Sequence, residues 1–383
     1  MALHFERAEF DARKDRLLIE MTNQKLDAAL LFAQESMYWL TGYDTFGYCF
    51  FQCLVLKSDG SMVLMTRSAD LRQAKHTSIL DNVVVWTDRD KANPAADLRN
   101  LLNDLGLLGC RIGVEYDTHG LTGRNTHLLD EQLKTFGTVV DMSGMVGRLR
   151  LLKSPAEVKK AERAAALADD ALDAALAIIG QGADEGAILA AMQGAVFAGG
   201  GDYPANEFII GSGADALLCR YKAGRRKLNK NDQLTLEWAG AFHHYHAPMM
   251  RTVLTGKVSK RHQELYDAAH EALLAVEKAM VPGSTFGDVF DAHSKVMEAH
   301  GLTRHRLNAC GYSVGARFSP SWMEEQMFFA GNPEPIAPAM TLFAHMIIMD
   351  SDSETAMTLG RTYLTTEGAP KALSRHDLDL IVK

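Results

Sequence analysis

The sequence predicts an α+β fold in two domains, an N-terminal α/β domain over residues 1–152 and a C-terminal domain over residues 153–383. Two patterns predict this class. In the first part of the chain, short apolar runs typical of strands alternate with amphipathic segments typical of helices, which indicates an α/β domain. In the second part, strand-like stretches arrive in close pairs with no helix between them, which indicates antiparallel hairpins.

The N-terminal elements follow from hydrophobic periodicity. Residues 11–36 combine an amphipathic segment with the apolar run at 28–33, so we predict a helix followed by a strand. The further elements predicted here are strands at Cys53–Leu56, Met62–Met65 and Val83–Trp86, a helix over Ala95–Leu105 and a strand around Arg111–Val114.

The boundary between the domains is marked by a helix start. Ser154 has the residue type of an N-cap, Pro155 suits the first helical turn, and Glu157 completes a capping box. An Ala-rich stretch follows, and alanine is the strongest helix former. We therefore predict a long helix that ends near Ile179.

The C-terminal elements alternate between helical patterns and paired β-rich stretches. The predicted helices lie at Glu185–Phe197, Arg261–Ala279 and Phe286–His300. The predicted strands lie around Glu207–Gly211, Gln233–Trp238, Tyr245–Leu254, Met340–Met349 and Ala356–Thr366.

Composition excludes several classes of protein. The 40 Lys and Arg against 48 Asp and Glu give a net charge of −8, and no basic run reaches five residues, so we expect no nucleic-acid partner. No apolar stretch approaches the roughly 20 residues of a membrane span, and the N-terminus is polar rather than signal-like, so we expect no membrane association and a cytoplasmic location. Five scattered cysteines without a C-x-x-C pair fit reduced thiols and make a cysteine-held metal improbable.

The densest group of chemically capable residues lies between Glu237 and Thr252. We predict two strands joined by a turn at Gly240 and Ala241. With a period of two, His244 and His246 share one face of the second strand, so a carboxylate and two imidazoles can do acid–base or nucleophilic work if Glu237 points the same way.

Two other interpretations of this hairpin stay open. It can be a histidine-rich turn with solvated side chains. It can also hold a metal, although His-His-x-His places only two ligands in phase on a strand and a catalytic zinc needs three protein ligands.

Several stretches together resemble the creatinase, prolidase and aminopeptidase superfamily with the pita-bread fold. The resemblance covers nearly the whole chain and implies a creatinase-like N-terminal α/β domain followed by a pita-bread catalytic domain. It is carried by Tyr38-Trp-Leu-Thr-Gly-Tyr43, Arg150-Leu-Leu-Lys-Ser-Pro-Ala-Glu157, Ser212-Gly-Ala-Asp-Ala216, Glu237-x-x-Gly-Ala-x-x-x-Tyr245-x-x-x-x-x-Arg251-Thr252, Gly311-Tyr-Ser-Val-Gly315 and Arg361-Thr-Tyr-Leu-Thr-Thr366.

Metallopeptidases of this superfamily hold two metal ions with Asp, Asp, His, Glu and Glu. By this resemblance, the five ligand positions correspond to Glu237, Pro248, Tyr312, His345 and Gly360. None of the five ligand residues is retained. A proline and a glycine offer no side-chain donor, and two remaining ligands are too few for a catalytic metal site. We therefore expect no dinuclear metal centre and no other cofactor.

The resemblance then points to the metal-free branch of the superfamily, which includes creatinase and ectoine hydrolase. Gly201-Asp-Tyr-Pro-Ala205, Tyr245-His-Ala-Pro and Gly311-Tyr312 look especially like the ectoine hydrolase branch. This implies hydrolysis of a C–N bond in a small zwitterionic or amidine-bearing solute.

On this analogy, Glu237 attacks the electrophilic carbon or steers the attack, while His246 and His345 act as the acid–base pair. The substrate-binding residues expected beside them are Arg220, His244, Arg251, Tyr312, Glu324 and Arg361. Tyr312 is expected to form a hydrogen bond with the substrate, and Arg251 or Arg361 is expected to bind a substrate carboxylate through two hydrogen bonds. Glu324 lies in a long loop of the kind that often forms a lid or an interface.

Arg220 is a departure from many relatives, in which a histidine lies eight residues after the serine at position 212. A guanidinium stays charged and cannot exchange a proton near neutral pH, so either His246 or His345 takes over this work or the substrate differs. An arginine here can instead bind an anionic group.

The sequence leaves two alternative functions open. One is a metal-dependent Xaa-Pro dipeptidase or aminopeptidase, and the other is a non-catalytic binding protein on a pita-bread scaffold. Because relatives are commonly homodimers, the resemblance also implies a homodimer that takes a small-molecule substrate.

Overall fold

The computed structural model describes residues 3–220, 224 and 226–383 and divides the chain into two compact units, Met1–Arg150 and Leu151–Lys383. The capping box predicted at the start of the second unit is present. The Ser154 side chain accepts a hydrogen bond from the Glu157 amide, and the Glu157 carboxylate accepts one from the Ser154 amide. None of the described helices combines the length and the apolar composition that crossing a membrane requires.

The first unit is a mixed six-stranded sheet between helices, with the strand order β4-β3-β2-β1-β5-β6. Apolar side chains of successive strand residues point to opposite faces, so two separate cores form, one on each side of the sheet. The elements are α1 Arg7–Asn23, β1 Ala28–Leu31, α2 Gln34–Thr41, β2 Cys53–Lys57, β3 Met62–Arg67, α3 Leu71–Thr77, β4 Val83–Trp86, α4 Pro94–Asp104, β5 Arg111–Val114, α5 Gly123–Leu133, β6 Thr138–Asp141 and α6 Met145–Leu151.

The second unit is a nine-stranded sheet whose main path has the order β11-β10-β12-β13-β9-β8-β7, with β14 paired to β13 and β15 paired to β9. Its pairings along the main path are antiparallel, as the sequence predicts. The elements are α7 Pro155–Ile178, α8 Glu185–Ala198, β7 Ile209–Ser212, β8 Asp232–Phe242, β9 Tyr245–Thr255, α9 Lys260–Ala279, α10 Phe286–Ala299, β10 Ala309–Val314, β11 Met323–Phe329, β12 Thr341–Asp350, β13 Thr355–Leu364, β14 Lys371–Ala372 and β15 Ile381–Val382.

The turn predicted at Gly240 and Ala241 is wrong. Both residues lie inside β8, and the β8–β9 turn is formed by His243 and His244, which have φ angles of 50° and 64°. Two residues with positive φ make the tight hairpin turn that matches the twist of the strands. Gly240 serves another purpose, because a Cβ there would lie 1.9 Å from the Ala164 carbonyl oxygen of α7. Glycine is required by the close approach of helix and strand.

Candidate active site

A cavity of about 310 Å³ lies in the second unit. Its volume is at the lower end of the range for small-molecule sites. Apolar side chains, among them Trp322, Met323 and Met327, form much of the wall. Among the described residues, the polar part of its lining consists of Asn206, Cys219, Arg220, Glu237, Tyr312 and His345.

The sheet register explains why Glu237 and His345 reach the same cavity. His345 pairs with Gly360, Gly360 with Met250, and Met250 with Glu237, which makes one row across β12, β13, β9 and β8. Directly paired residues project from the same face of a sheet. Gly360 adds no side chain to this row, and Met250 lies between Gly360 and Glu237.

Glu237 is a carboxyl group held in a poorly solvated place. Burial raises its pKa from 4.5 to about 7, and the nearby positive charge of Arg220 opposes this rise. Within the described part of the chain, the Glu237 carboxyl has no hydrogen-bond partner. It therefore exchanges a proton near neutral pH and is free to contact a ligand.

His345 is a neutral imidazole at neutral pH. Its side chain belongs to a residue that is 6% exposed, and burial lowers its pKa to about 4, with the charge of Arg220 acting in the same direction. The ring packs against Tyr312 and Phe343, with centroid distances of 5.6 and 5.4 Å. Its Nδ1 has no hydrogen-bond partner among the described residues.

Tyr312 is oriented by Trp322. The indole Nε1 of Trp322 donates a hydrogen bond to the Tyr312 hydroxyl at 2.9 Å, and the Trp322 amide donates to the Asn206 side-chain oxygen at 3.1 Å. Burial raises the pKa of Tyr312 well above its ordinary value, so the phenol keeps its proton. Because the hydroxyl oxygen already accepts from Trp322, its own O–H can donate to a ligand.

Arg220 supplies positive charge to the cavity from an exposed position. Its charge lowers the pKa of both Glu237 and His345. The neighbouring Cys219 has a raised pKa because it is buried and close to Glu237, so it is a neutral thiol rather than a nucleophilic thiolate.

His246 shares a sheet face with Glu237, but it is not part of the cavity lining. It pairs with Ala241, and Glu237 pairs with Met250, so four positions along β9 separate the two rows, roughly 13 Å at the ordinary strand rise. The prediction that His246 acts in the acid–base pair is therefore wrong, because His246 does not reach the cavity. His244 is also outside the cavity, since it lies in the turn and stacks on Phe318 at 4.0 Å.

The two arginines expected to bind a substrate carboxylate have structural partners instead. Arg251 is buried and donates to the carbonyl oxygens of Met250 and Gly360 at 2.8 and 2.7 Å. Burial and the charge of Arg361 lower its pKa to about 10. Arg361 pairs with Glu277 at 2.6 Å and lines no part of the cavity.

Glu324 lies in β11 rather than in the predicted loop, and it is outside the cavity. Its carboxylate forms an ion pair with Lys153 at 2.9 Å, and both side chains are buried. Gly315 leaves the space for this pair, because a Cβ there would lie 2.3 Å from a Glu324 carboxylate oxygen. The predicted substrate contact of Glu324 is therefore replaced by a buried ion pair.

The cavity does not have the donor set of a dinuclear metal centre. Of the five positions compared with metal ligands, Pro248 and Gly360 offer no side-chain donor. Over the described residues, the single group of three or more candidate ligands with donor atoms within 4.8 Å of one another is His305, Asp350 and Asp352, away from the cavity lining. The residues of the cavity therefore do not fit the two ions that the fold commonly holds.

Two polar residues of the cavity, Asn206 and Cys219, are not predicted by any pattern in the sequence. Asn206 follows a loop that the sequence marks only by its glycines and proline, and Cys219 precedes Arg220 without a recognisable motif. No periodicity connects these residues, because they meet through loop packing.

The architecture, a pita-bread domain that follows a creatinase-like N-terminal domain, defines the class of this protein. Residues 159–367 match the model of Metallopeptidase family M24, and residues 13–152 match the Creatinase/Prolidase N-terminal domain. The chain belongs to the M24 family. The fold predicted from sequence is thereby confirmed.

Relatives span the whole chain. It is 25% identical over 402 residues to the ectoine hydrolase of Halomonas elongata, covering 100% of this chain and 99% of that protein. It is 26% identical over 392 residues to the uncharacterized hydrolase/peptidase y4tL of Sinorhizobium fredii, covering 99% and 97%. The Xaa-Pro dipeptidase structure from Bacillus anthracis matches with a TM-score of 0.85 and 18% identity, covering 98% of this chain and 100% of that one. This structural likeness shows the shared fold.

Proposed function

We propose that this protein is a metal-independent hydrolase that cleaves a C–N bond in a small zwitterionic or amidine-bearing solute of the ectoine or creatine kind. One observation carries the proposal: the Glu237 carboxyl, whose pKa is raised to about 7, faces a small cavity beside Arg220. The same cavity lacks the ligands of a dinuclear metal centre. The similarity to an ectoine hydrolase over the full chain supports the same substrate class.

Glu237 is the proposed general base. A carboxyl group with a pKa near the working pH is present in both protonation states and can accept and return a proton. In the proposed reaction, the Glu237 carboxylate takes a proton from water while the water oxygen bonds to the electrophilic carbon. It then gives this proton to the nitrogen as the C–N bond breaks, so the group is regenerated.

Tyr312 and His345 are proposed to contact the reacting part of the substrate. The Tyr312 O–H donates a hydrogen bond to the oxygen that gains charge as water adds to the carbon. His345 presents an imidazole that stays neutral above a pH of about 4, so it orients the substrate without adding positive charge.

Arg220 is proposed to bind the anionic end of the substrate. Its exposed position suits a carboxylate that lies at the cavity mouth, and the guanidinium can form two parallel hydrogen bonds with it. The other end of a small zwitterion then lies near Glu237, where its positive charge favours the ionised carboxylate. Charge is thus matched at both ends of the proposed ligand.

The proposal is tested by metal analysis and turnover together. Purified protein is dialysed against a chelator, its Mn, Zn, Fe and Co contents are measured, and hydrolysis of cyclic amidine amino acids, creatine-like compounds and proline dipeptides is followed by NMR. We expect turnover of a zwitterionic solute at less than 0.1 metal per chain, a threshold set as roughly a tenth of one occupied site. Dipeptide cleavage that disappears with the metal and returns with it would establish the peptidase instead.

A non-catalytic binding role is separated by the Glu237→Gln variant. The amide keeps the shape of the carboxyl but cannot act as a base, so we expect ligand binding to persist while turnover falls by at least about 100-fold. Thermal-shift measurements report binding because a ligand of the folded state raises its melting temperature. Wild-type protein that binds a solute and never turns it over would be a binding protein.

A further inference from the structure

We propose that His246 is a positioning residue, whose imidazole holds the segment of Ala205 and Asn206 in place and thereby fixes Trp322 and Tyr312 in the cavity. The proposal rests on the function proposed above for this cavity. It gives a histidine outside the cavity lining a defined task in the site.

His246 connects two segments of the second unit. The Ala205 amide donates a hydrogen bond to its Nε2 at 2.9 Å, while the His246 amide donates to the Gly315 carbonyl oxygen at 3.1 Å. The residue is 1% exposed, so neither hydrogen bond is weakened by competing bulk water. The imidazole thus acts as a buried acceptor for a loop amide.

A continuous series of contacts leads from this loop to the cavity. Asn206 follows Ala205 directly and accepts a hydrogen bond from the Trp322 amide at 3.1 Å. The Trp322 indole then donates to the Tyr312 hydroxyl at 2.9 Å. Since Asn206, Trp322 and Tyr312 all line the cavity, a displacement of the loop is transmitted to the group that we propose as a hydrogen-bond donor to the substrate.

The hydrogen-bond pattern also fixes the protonation state of His246. A ring nitrogen that accepts from an amide carries no proton, so the proton of the neutral ring lies on Nδ1, which has no partner in the described part of the chain. Burial, followed by the charges of His244 and Arg317, lowers its pKa to about 3. The acceptor is therefore present at every pH at which the protein is expected to work.

Three substitutions of His246 distinguish the hydrogen-bond acceptor at Nε2 from the space that the imidazole ring fills. In His246→Gln, the amide oxygen can reach the position of Nε2 and accept from Ala205. His246→Leu fills similar space without an acceptor, and His246→Asn is polar but too short. His243→Gln is the matched control, because His243 belongs to the same hairpin and its Nδ1 contacts the Lys160 Nζ at 2.9 Å.

Hydrogen exchange of residues 199–206 and the pH profile of kcat/KM are measured on the full chain. We expect the Ala205 amide to exchange about tenfold faster in the Leu and Asn variants, and within about threefold of wild type in the Gln and control variants. The Leu and Asn variants should also lose about tenfold in kcat/KM, with the midpoint of the pH profile unchanged.

Two results would overturn the proposal. Wild-type protection of Ala205 in both the Leu and the Asn variants would show that His246 does not hold the loop. Loss of one limb of the pH profile in the Gln variant, with the loop still protected, would make His246 a proton carrier. The exchange measurement needs no substrate, so a wild-type protein without turnover refutes the proposed function and leaves the loop contact separately tested.

Discussion

Replacing Glu237 by Gln should stabilise the protein at alkaline pH and leave its stability unchanged in acid. The folded state raises the pKa of this carboxyl from 4.5 to about 7, so between these pH values the folded protein binds more protons than the unfolded chain. Its stability therefore falls as the pH rises through this interval. Above it, the full cost of a buried ionised carboxylate is present, and the glutamine amide does not carry that cost.

The size of the effect follows from the two pKa values. The interval between 4.5 and about 7 corresponds to ~3 kcal/mol. Glu237 is partly accessible from the cavity, where water reduces the cost of its charge, so we expect about 2 kcal/mol for the substitution at pH 9. For a unit as large as Leu151–Lys383, this corresponds to a rise in melting temperature of ~5 °C.

The assay compares melting temperatures of wild type and Glu237→Gln at pH 5 and pH 9 by calorimetry. Glu298→Gln, which alters an exposed glutamate of α10, is the control and should behave alike at both pH values. A stability difference for Glu237→Gln that is the same at pH 5 and pH 9 would refute the raised pKa. The proposed base would then be an ordinary carboxylate.

Three further substitutions test the remaining assignments. Arg220→Gln removes the charge that lowers the pKa of Glu237, so the midpoint of the pH profile of kcat/KM should move upward and KM should rise at least tenfold; an unchanged profile would contradict this. Glu324→Gln takes the carboxylate away from buried Lys153 and should cost ~3 kcal/mol of unfolding free energy in denaturant titrations, and a loss below ~1 kcal/mol would argue against the pair. Arg251→Met removes donors from buried carbonyl groups and should cost ~2 kcal/mol with KM unaltered, whereas a tenfold rise in KM would restore its role in substrate binding.

Local signals predicted many of the elements because they act between near neighbours in the chain. The capping box of Ser154 and Glu157 predicted the start of α7, and the apolar periodicity predicted β8, β9, β12 and β13. The turn between β8 and β9 was misplaced because glycine is the usual turn residue. Gly240 is glycine for a tertiary reason, the approach of α7, and the positive φ angles fall on two histidines instead.

The candidate site was only partly predictable. Glu237, Tyr312, His345 and Arg220 were all expected in it, and the structure brings them to one cavity. Arg251 was expected there too, but backbone carbonyl groups bind its guanidinium first. A sequence pattern lists polar side chains, whereas competition for partners decides which of them remain available to a ligand.

The sequence by itself determined which chemical groups the protein possesses and which it lacks. Proline at 248 and glycine at 360 have no side-chain donor for a metal in any conformation, and the family resemblance follows from motifs along the chain. Only the tertiary structure decided which groups meet. Solvation, pairing and hydrogen bonding depend on neighbours far away in sequence. These neighbours raise the pKa of Glu237 to about 7, and they bring the Ala205 amide within hydrogen-bond distance of His246.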